Sequence, residues 1–141
     1  MPVSKYNPEG YYDPTAYQAL NNILDERKNN FRPIVYICSP FTGSTRTNKR
    51  RARQYCLFAI QANAIPVAPN LYFPKFLDEN DEDARELGQF MALVLLTKCR
   101  ELWWFGDEIT PEMRREIEKA KYRQIPVRHF TRDLKEVPNH E

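Results

Sequence analysis

Two glutamates, Glu112 and Glu116, stand four residues apart in "ELWWFGDEITPEMRREIEKA", the stretch that begins at Glu101. On a helix that spacing puts both carboxylates on one face, one turn apart, with Glu118 turned elsewhere. A carboxylate in the first turns of a helix, at the carboxyl end of a sheet, is placed to face the anomeric carbon of a ligand. There it acts as a nucleophile or balances an oxocarbenium-like charge. The same glutamates, beside Arg114 and Arg115, also read as solvated helix surface, and the pattern alone favours that plainer reading because helix surfaces are rich in glutamate.

Two other stretches bring chemistry to the same place. "SPFTGST", Ser39 to Thr45, offers hydroxyls, a glycine and the start of a helix. Hydroxyls, free backbone N–H groups and a helix N-terminus suit a phosphate or a ribose. The loop lacks both G-x-G-x-x-G and G-x-x-x-x-G-K-[ST], so it reads equally as an ordinary β–α turn. "PNLYFPKF" brings Asn70, Tyr72 and Phe73, an amide beside aromatics that pairs with and stacks on a base, or else packs as loop and core. The basic run "TRTNKRRARQ" winds its cations around a helix, so they cannot all face one partner. A solvated face is the simpler reading; Arg46 or Lys49, nearest the loop, would be the ones to lend charge to a phosphate.

These stretches need a scaffold that gathers them. Helix and strand patterns alternate. A helix opens at Asp13 and Pro14. Then come the strand "RPIVYICS", a helix from Asn48 with Ala52, Cys56, Ala59 and Ile60 inward, and the strand "IPVAP". A helix from Arg85 to Cys99, the strand "ELWWFG", a helix capped by Thr110 with Pro111 first, and the strand "IPVRHF" complete the order. Apolar strands alternating with helices predict a single Rossmann-like three-layer α/β domain, its short, mostly parallel sheet of about four or five strands flanked by helices. Residues 1–31 read as a polar lead and helix, 32–131 as the α/β domain and 132–141 as a polar tail expected to fray. In such a sheet ligands sit outside the carboxyl ends of the strands, at the topological switch point, where all three loops converge.

Composition sets limits. The 141 residues carry a net charge of only +2, which argues against a nucleic-acid partner. No apolar run reaches the ~20 residues of a membrane span, and "MPVSKYNPEG" lacks the apolar core of an export signal. Cys38, Cys56 and Cys99 have no metal-type spacing and are expected to be reduced thiols in a cytoplasmic protein.

The ordered set "VYICSPFTG", "IPVAPNLYFPKFLD", "ELWWFG" and "EIE" resembles an uncharacterised bacterial and phage domain of the nucleoside 2-deoxyribosyltransferase-like superfamily, over about Pro33 to Phe130. The resemblance implies cleavage or transfer at the N-glycosidic bond of a deoxynucleoside or deoxynucleotide, in a homo-oligomer, with no metal or cofactor. It makes Glu116 the nucleophile at C1′. It implies substrate contacts from Ser39, Pro40, Phe41, Thr42 and Gly43 and from the turn at Thr110; Asn48, Asn70, Tyr72, Gly106, Asp107 and Met113 are further candidate contacts. Four positions depart from the family pattern. Ala92 stands where catalytic relatives carry an aspartate, Glu112 where a glycine is expected, Asn70 in place of histidine and Arg100 in place of aspartate. They favour an alternative: a non-catalytic binder, a phage-type sensor or sequestering protein for a nucleotide-derived small molecule. Light scattering is expected to find a dimer or larger; a concentration-independent monomer at 16.8 kDa contradicts that.

Overall fold

The apolar run Ile34–Cys38 is a strand, β1, in the computed structural model, which describes residues 31–40 and 45–138. The chain divides into two units, Met1–Arg32 and Pro33–Glu141. The described residues lie almost wholly in the second, and the helix expected at Asp13 falls outside them. After β1 come α1 (Thr45–Gln61), β2 (Ile65–Val67), two short 3₁₀ turns (Pro69–Leu71 and Phe73–Lys75), α2 (Glu82–Leu96), β3 (Glu101–Phe105), α3 (Pro111–Tyr122), β4 (Val127–Phe130) and β5 (Glu136–Val137).

The five strands form one sheet in the order β2-β1-β3-β4-β5, parallel except for β5, which runs antiparallel to β4. The expected α/β architecture is therefore present. Strand alternation sorts side chains to two faces. Val35, Ile37, Trp103 and Phe105 pack with Tyr55, Ala59 and Phe130 in one core. Tyr36, Cys38 and Leu102 pack with Ala92, Leu96, Met113, Ile117 and Ala120 in the other. The first core lies under α1, the second under α2 and α3. The chain leaves β1 for β2 on one side and crosses to β3 on the other, so the switch point lies between the ends of β1 and β3. Cys38 there pairs with Trp104. Among the described residues, no helix is long and apolar enough to cross a membrane.

Several boundaries differ from expectation for identifiable reasons. In α1 the inward stripe is Ala52, Tyr55 and Ala59, while Ile60 is 47% exposed. Tyr55 stacks on Phe105 at 4.2 Å, and that partner sets the helix rotation. Helix α2 begins at Glu82 rather than Arg85 because Glu82 and Asp83 occupy its first turn, where acids favour the positive end of the helix. The tail, expected to fray, instead adds β5. Arg128 of β4 donates to Glu136 through Nε (2.8 Å) and Nη2 (2.7 Å) and reaches Glu101 through Nη1 at 3.4 Å. Its guanidinium also lies over Trp103 (4.9 Å) and Phe130 (5.2 Å).

These pairs are partly exposed, so each contributes modestly. Replacing Arg128 by Ala removes the ion pairs and the ring contacts together and is expected to cost about 1–2 kcal/mol in urea unfolding. An unchanged midpoint would show that β5 is not held by Arg128.

Candidate functional site

Helix α3 starts where its sequence says it should. Thr110 caps it, its Oγ1 accepting the Met113 N–H at 3.2 Å, and Pro111 follows. The buried stripe is Met113, Glu116, Ile117 and Ala120: three apolar residues and one carboxylate. Glu116 is 8% exposed, so it is not solvated helix surface. Among the described residues the buried polar side chains are Ser39, Asn48 and Glu116, and all three line one or other of two cavities at the switch point.

The larger cavity, about 350 Å³, lies on the α2–α3 side. Phe73, Pro74 and Leu77 line it from the turns after β2, with Asn70 beside them. From α2 it is lined by Ala84, Gly88 and Ala92, small residues at four-residue spacing that leave room along one helix face. Ser39, Glu112, Arg115 and Glu116 complete the chemistry, with Asp78, Glu79 and Arg85 also in the lining. This is an apolar hollow with a few convergent polar groups, the usual form of a small-molecule site.

Its electrostatics centre on Glu116. Burial is the largest influence and raises its carboxyl to about 7; Tyr36 and Cys38 pull it down, Glu112 pushes it up, and Arg115 lowers it. The reciprocal effects appear on β1. Burial first, then Glu116, raises the Tyr36 hydroxyl and the Cys38 thiol well above their ordinary values. Both therefore keep their protons beside Glu116, and Cys38 Sγ donates weakly to the Met113 carbonyl at 3.9 Å. Yet Tyr36 Oη, Glu116 Oε2 and Glu112 Oε2 are each buried without a well-formed hydrogen bond. Glu112 and Glu116 line the hollow and Tyr36 lies behind them; buried polar atoms are nearly always partnered, so the two unpartnered carboxylate oxygens mark a place for a polar ligand.

The smaller cavity, about 250 Å³, opens on the α1 side and shares Ser39 with the first. Pro40, Asn48, Arg51, Tyr55, Gly106, Asp107, Glu108, Thr110 and Arg132 line it. Gly106 has φ +114°, a conformation that suits glycine, and its carbonyl lies 2.7 Å from His129 Nε2. Burial raises the Tyr55 hydroxyl, while Arg51 and Arg132 oppose the rise.

The residues singled out from sequence therefore divide. Glu116 and Asn70 meet in the larger cavity, Ser39 borders both, and Pro40, Asn48, Gly106, Asp107 and Thr110 gather in the smaller. Phe41, Thr42 and Gly43 lie outside the described residues. Two of the residues stand apart from both linings. Met113 is buried in the core and lines neither cavity, because its side chain fills the space between α3 and β1. Tyr72 is 57% exposed, packed edge-on to Phe76 at 4.8 Å, and lines neither cavity. Arg46 and Lys49 are likewise absent from both linings; Arg51 is the α1 cation that lines one. Sequence reasoning passed over Tyr36 and Cys38, whose two-residue spacing on β1 was the available signal. Among the described residues no cluster of His, Cys, Asp or Glu is arranged to hold a metal.

Residues 33–130 match the model of a family described as "Domain of unknown function (DUF7768)". A solved structure described as a 2-deoxyribosyltransferase from the psychrotolerant bacterium Bacillus psychrosaccharolyticus shares the fold, with a TM-score of 0.56 and 16% identity, over 75% of this chain and 77% of that one. No curated protein matches this chain.

The raised Glu116 carboxyl makes stability depend on pH. Its value of about 7 in the folded chain exceeds the ordinary 4.5, so the folded state binds the extra proton. That contribution is fully present below about 4.5 and is lost as pH rises through about 7, costing up to roughly 3 kcal/mol by pH 8. Glu116→Gln is expected to be more stable than the parent at pH 8 and to have a flatter stability profile between pH 5 and 8 in thermal melts. Parallel profiles would place the carboxyl in water.

Proposed function

The chain belongs to that family, and we propose that its larger cavity receives a deoxynucleoside or deoxynucleotide and acts at the N-glycosidic bond, with Glu116 at C1′. The observation that carries this reading is the Glu116 carboxyl itself: buried, with one unpartnered oxygen, in the wall of an apolar hollow at the sheet's switch point. The likeness in fold to a 2-deoxyribosyltransferase supports the choice of ligand class.

On this reading the base rests against Phe73, Leu77 and Leu93, and sugar hydroxyls satisfy the unpartnered polar atoms. Ionised Glu116 attacks C1′ as the C1′–N bond breaks, its electron pair leaving with the base, which takes up a proton. Water or a second base then attacks C1′ and releases Glu116. Tyr36 and Cys38, both protonated, donate toward the carboxylate and stabilise its charge without acting as bases. The proton that the departing base takes up comes from water.

One observation favours a second reading. Ala92 lines the cavity at the position where the resemblance led us to expect an aspartate, so the hollow would bind without turnover. Incubation with deoxynucleosides and deoxynucleotides separates the two, because an enzyme releases free base on a chromatogram while a binder gives only a thermal shift. For the enzyme, Glu116→Gln should lower kcat about a thousandfold, equivalent to ~4 kcal/mol of lost transition-state stabilisation. Glu118→Gln, exposed on the same helix, should change little. Parental turnover in Glu116→Gln would remove Glu116 from the mechanism.

A further inference from the structure

The first turn of α3 is where a helix ordinarily attracts an anion, through free backbone N–H groups and the positive end of its dipole. In this chain that place is already taken. Thr110 Oγ1 accepts the Met113 N–H at 3.2 Å. Glu112, in the same turn, brings its own carboxylate to the helix end and into the larger cavity.

The neighbouring charges point the same way. Four acids (Asp78, Glu79, Glu112, Glu116) and two arginines (Arg85, Arg115) line the larger cavity. In the smaller one Arg51 and Arg132 are matched by Asp107 and Glu108, so it offers no net positive charge to a phosphate reaching across Ser39. A second observation is independent of charge. Glu116, nine-tenths buried, and its neighbour Glu112 each have an oxygen in the cavity region without a hydrogen-bond partner. Carboxylate oxygens accept hydrogen bonds. Sugar hydroxyls and base amino groups supply donors, whereas an ionised phosphate supplies none and is repelled.

We infer that Glu112 is a specificity-determining residue, which excludes phosphorylated ligands from the α3 end of the cavity and selects an uncharged nucleoside. This rests on the nucleoside reading above. Glu112 acts on ligand choice through its charge, so its neutral isostere tests it directly. Glu112→Gln keeps the side chain's length and hydrogen-bonding capacity and removes only the negative charge.

The experiment is calorimetric titration of the full chain, Glu112→Gln, Glu112→Asp and Glu118→Gln with the common deoxynucleosides and their 5′-monophosphates, at low salt so that charge effects are not screened. The parent is expected to bind a deoxynucleoside at least about tenfold tighter than its monophosphate. Glu112→Gln is expected to narrow that ratio about tenfold by binding the monophosphate more tightly. Glu112→Asp keeps most of the discrimination, and Glu118→Gln keeps all of it. A parent that binds the monophosphate as tightly as the nucleoside, or an unchanged ratio in a folded Glu112→Gln, overturns the inference and leaves the nucleoside reading standing. If the parent binds neither class, the nucleoside reading fails and the inference fails with it.

Discussion

Taking the Glu116 carboxylate out of water is costly, and the groups around it bear on that cost. Burying a charge costs several kcal/mol unless partners compensate. Here compensation is incomplete. Tyr36, Cys38 and Arg115 favour the ionised form, burial and Glu112 oppose it, and the balance leaves the carboxyl near neutrality at about 7. A helix that needed only to pack would carry an apolar residue at this position, as it does at Met113, Ile117 and Ala120. Retaining a glutamate there costs stability, and strongly perturbed groups in clefts are where function concentrates.

The topology makes that exchange possible. With β1 inside the sheet, its alternation sends Tyr36 and Cys38 to the α2–α3 face, beneath Glu116. The next residue, Ser39, emerges where the chain's direction of winding reverses and so borders both cavities. The cap at Thr110 fixes where α3 begins, and therefore which residues, three and four positions apart, face inward. A shift of one residue in that start would rotate Glu116 out of its place in the cavity wall.

Much of this was legible in the residues. Thr110 and Pro111 announce the α3 boundary by local chemistry, and the alternation of apolar strands with helices predicts the sheet, because both depend on near neighbours in sequence. The burial of Glu116 could have been read from the apolar positions 113, 117 and 120 that surround it, but flanking arginines also suit a solvated surface. What stayed hidden depended on distant partners. Tyr55 turns inward because Phe105, fifty residues on, offers a stacking surface. Strand β5 exists because Glu136 meets Arg128. Tyr36 and Cys38 lie in a strand buried on both faces, where uniform apolarity masks which side chain faces which helix. Met113 packs into the core and Tyr72 stays at the surface, placements set by packing partners distant in sequence.

The protonation state of one carboxyl therefore tests the structural basis of all this most directly. Carbon-13 NMR of glutamate side-chain carboxyls, with the Glu116 resonance identified by its loss in Glu116→Gln, follows that group alone through a pH titration. The buried site described above predicts a midpoint about 7. A midpoint at the ordinary glutamate value, near 4.5, would mean a solvated side chain, and the cavity would lose the group on which the proposed chemistry depends.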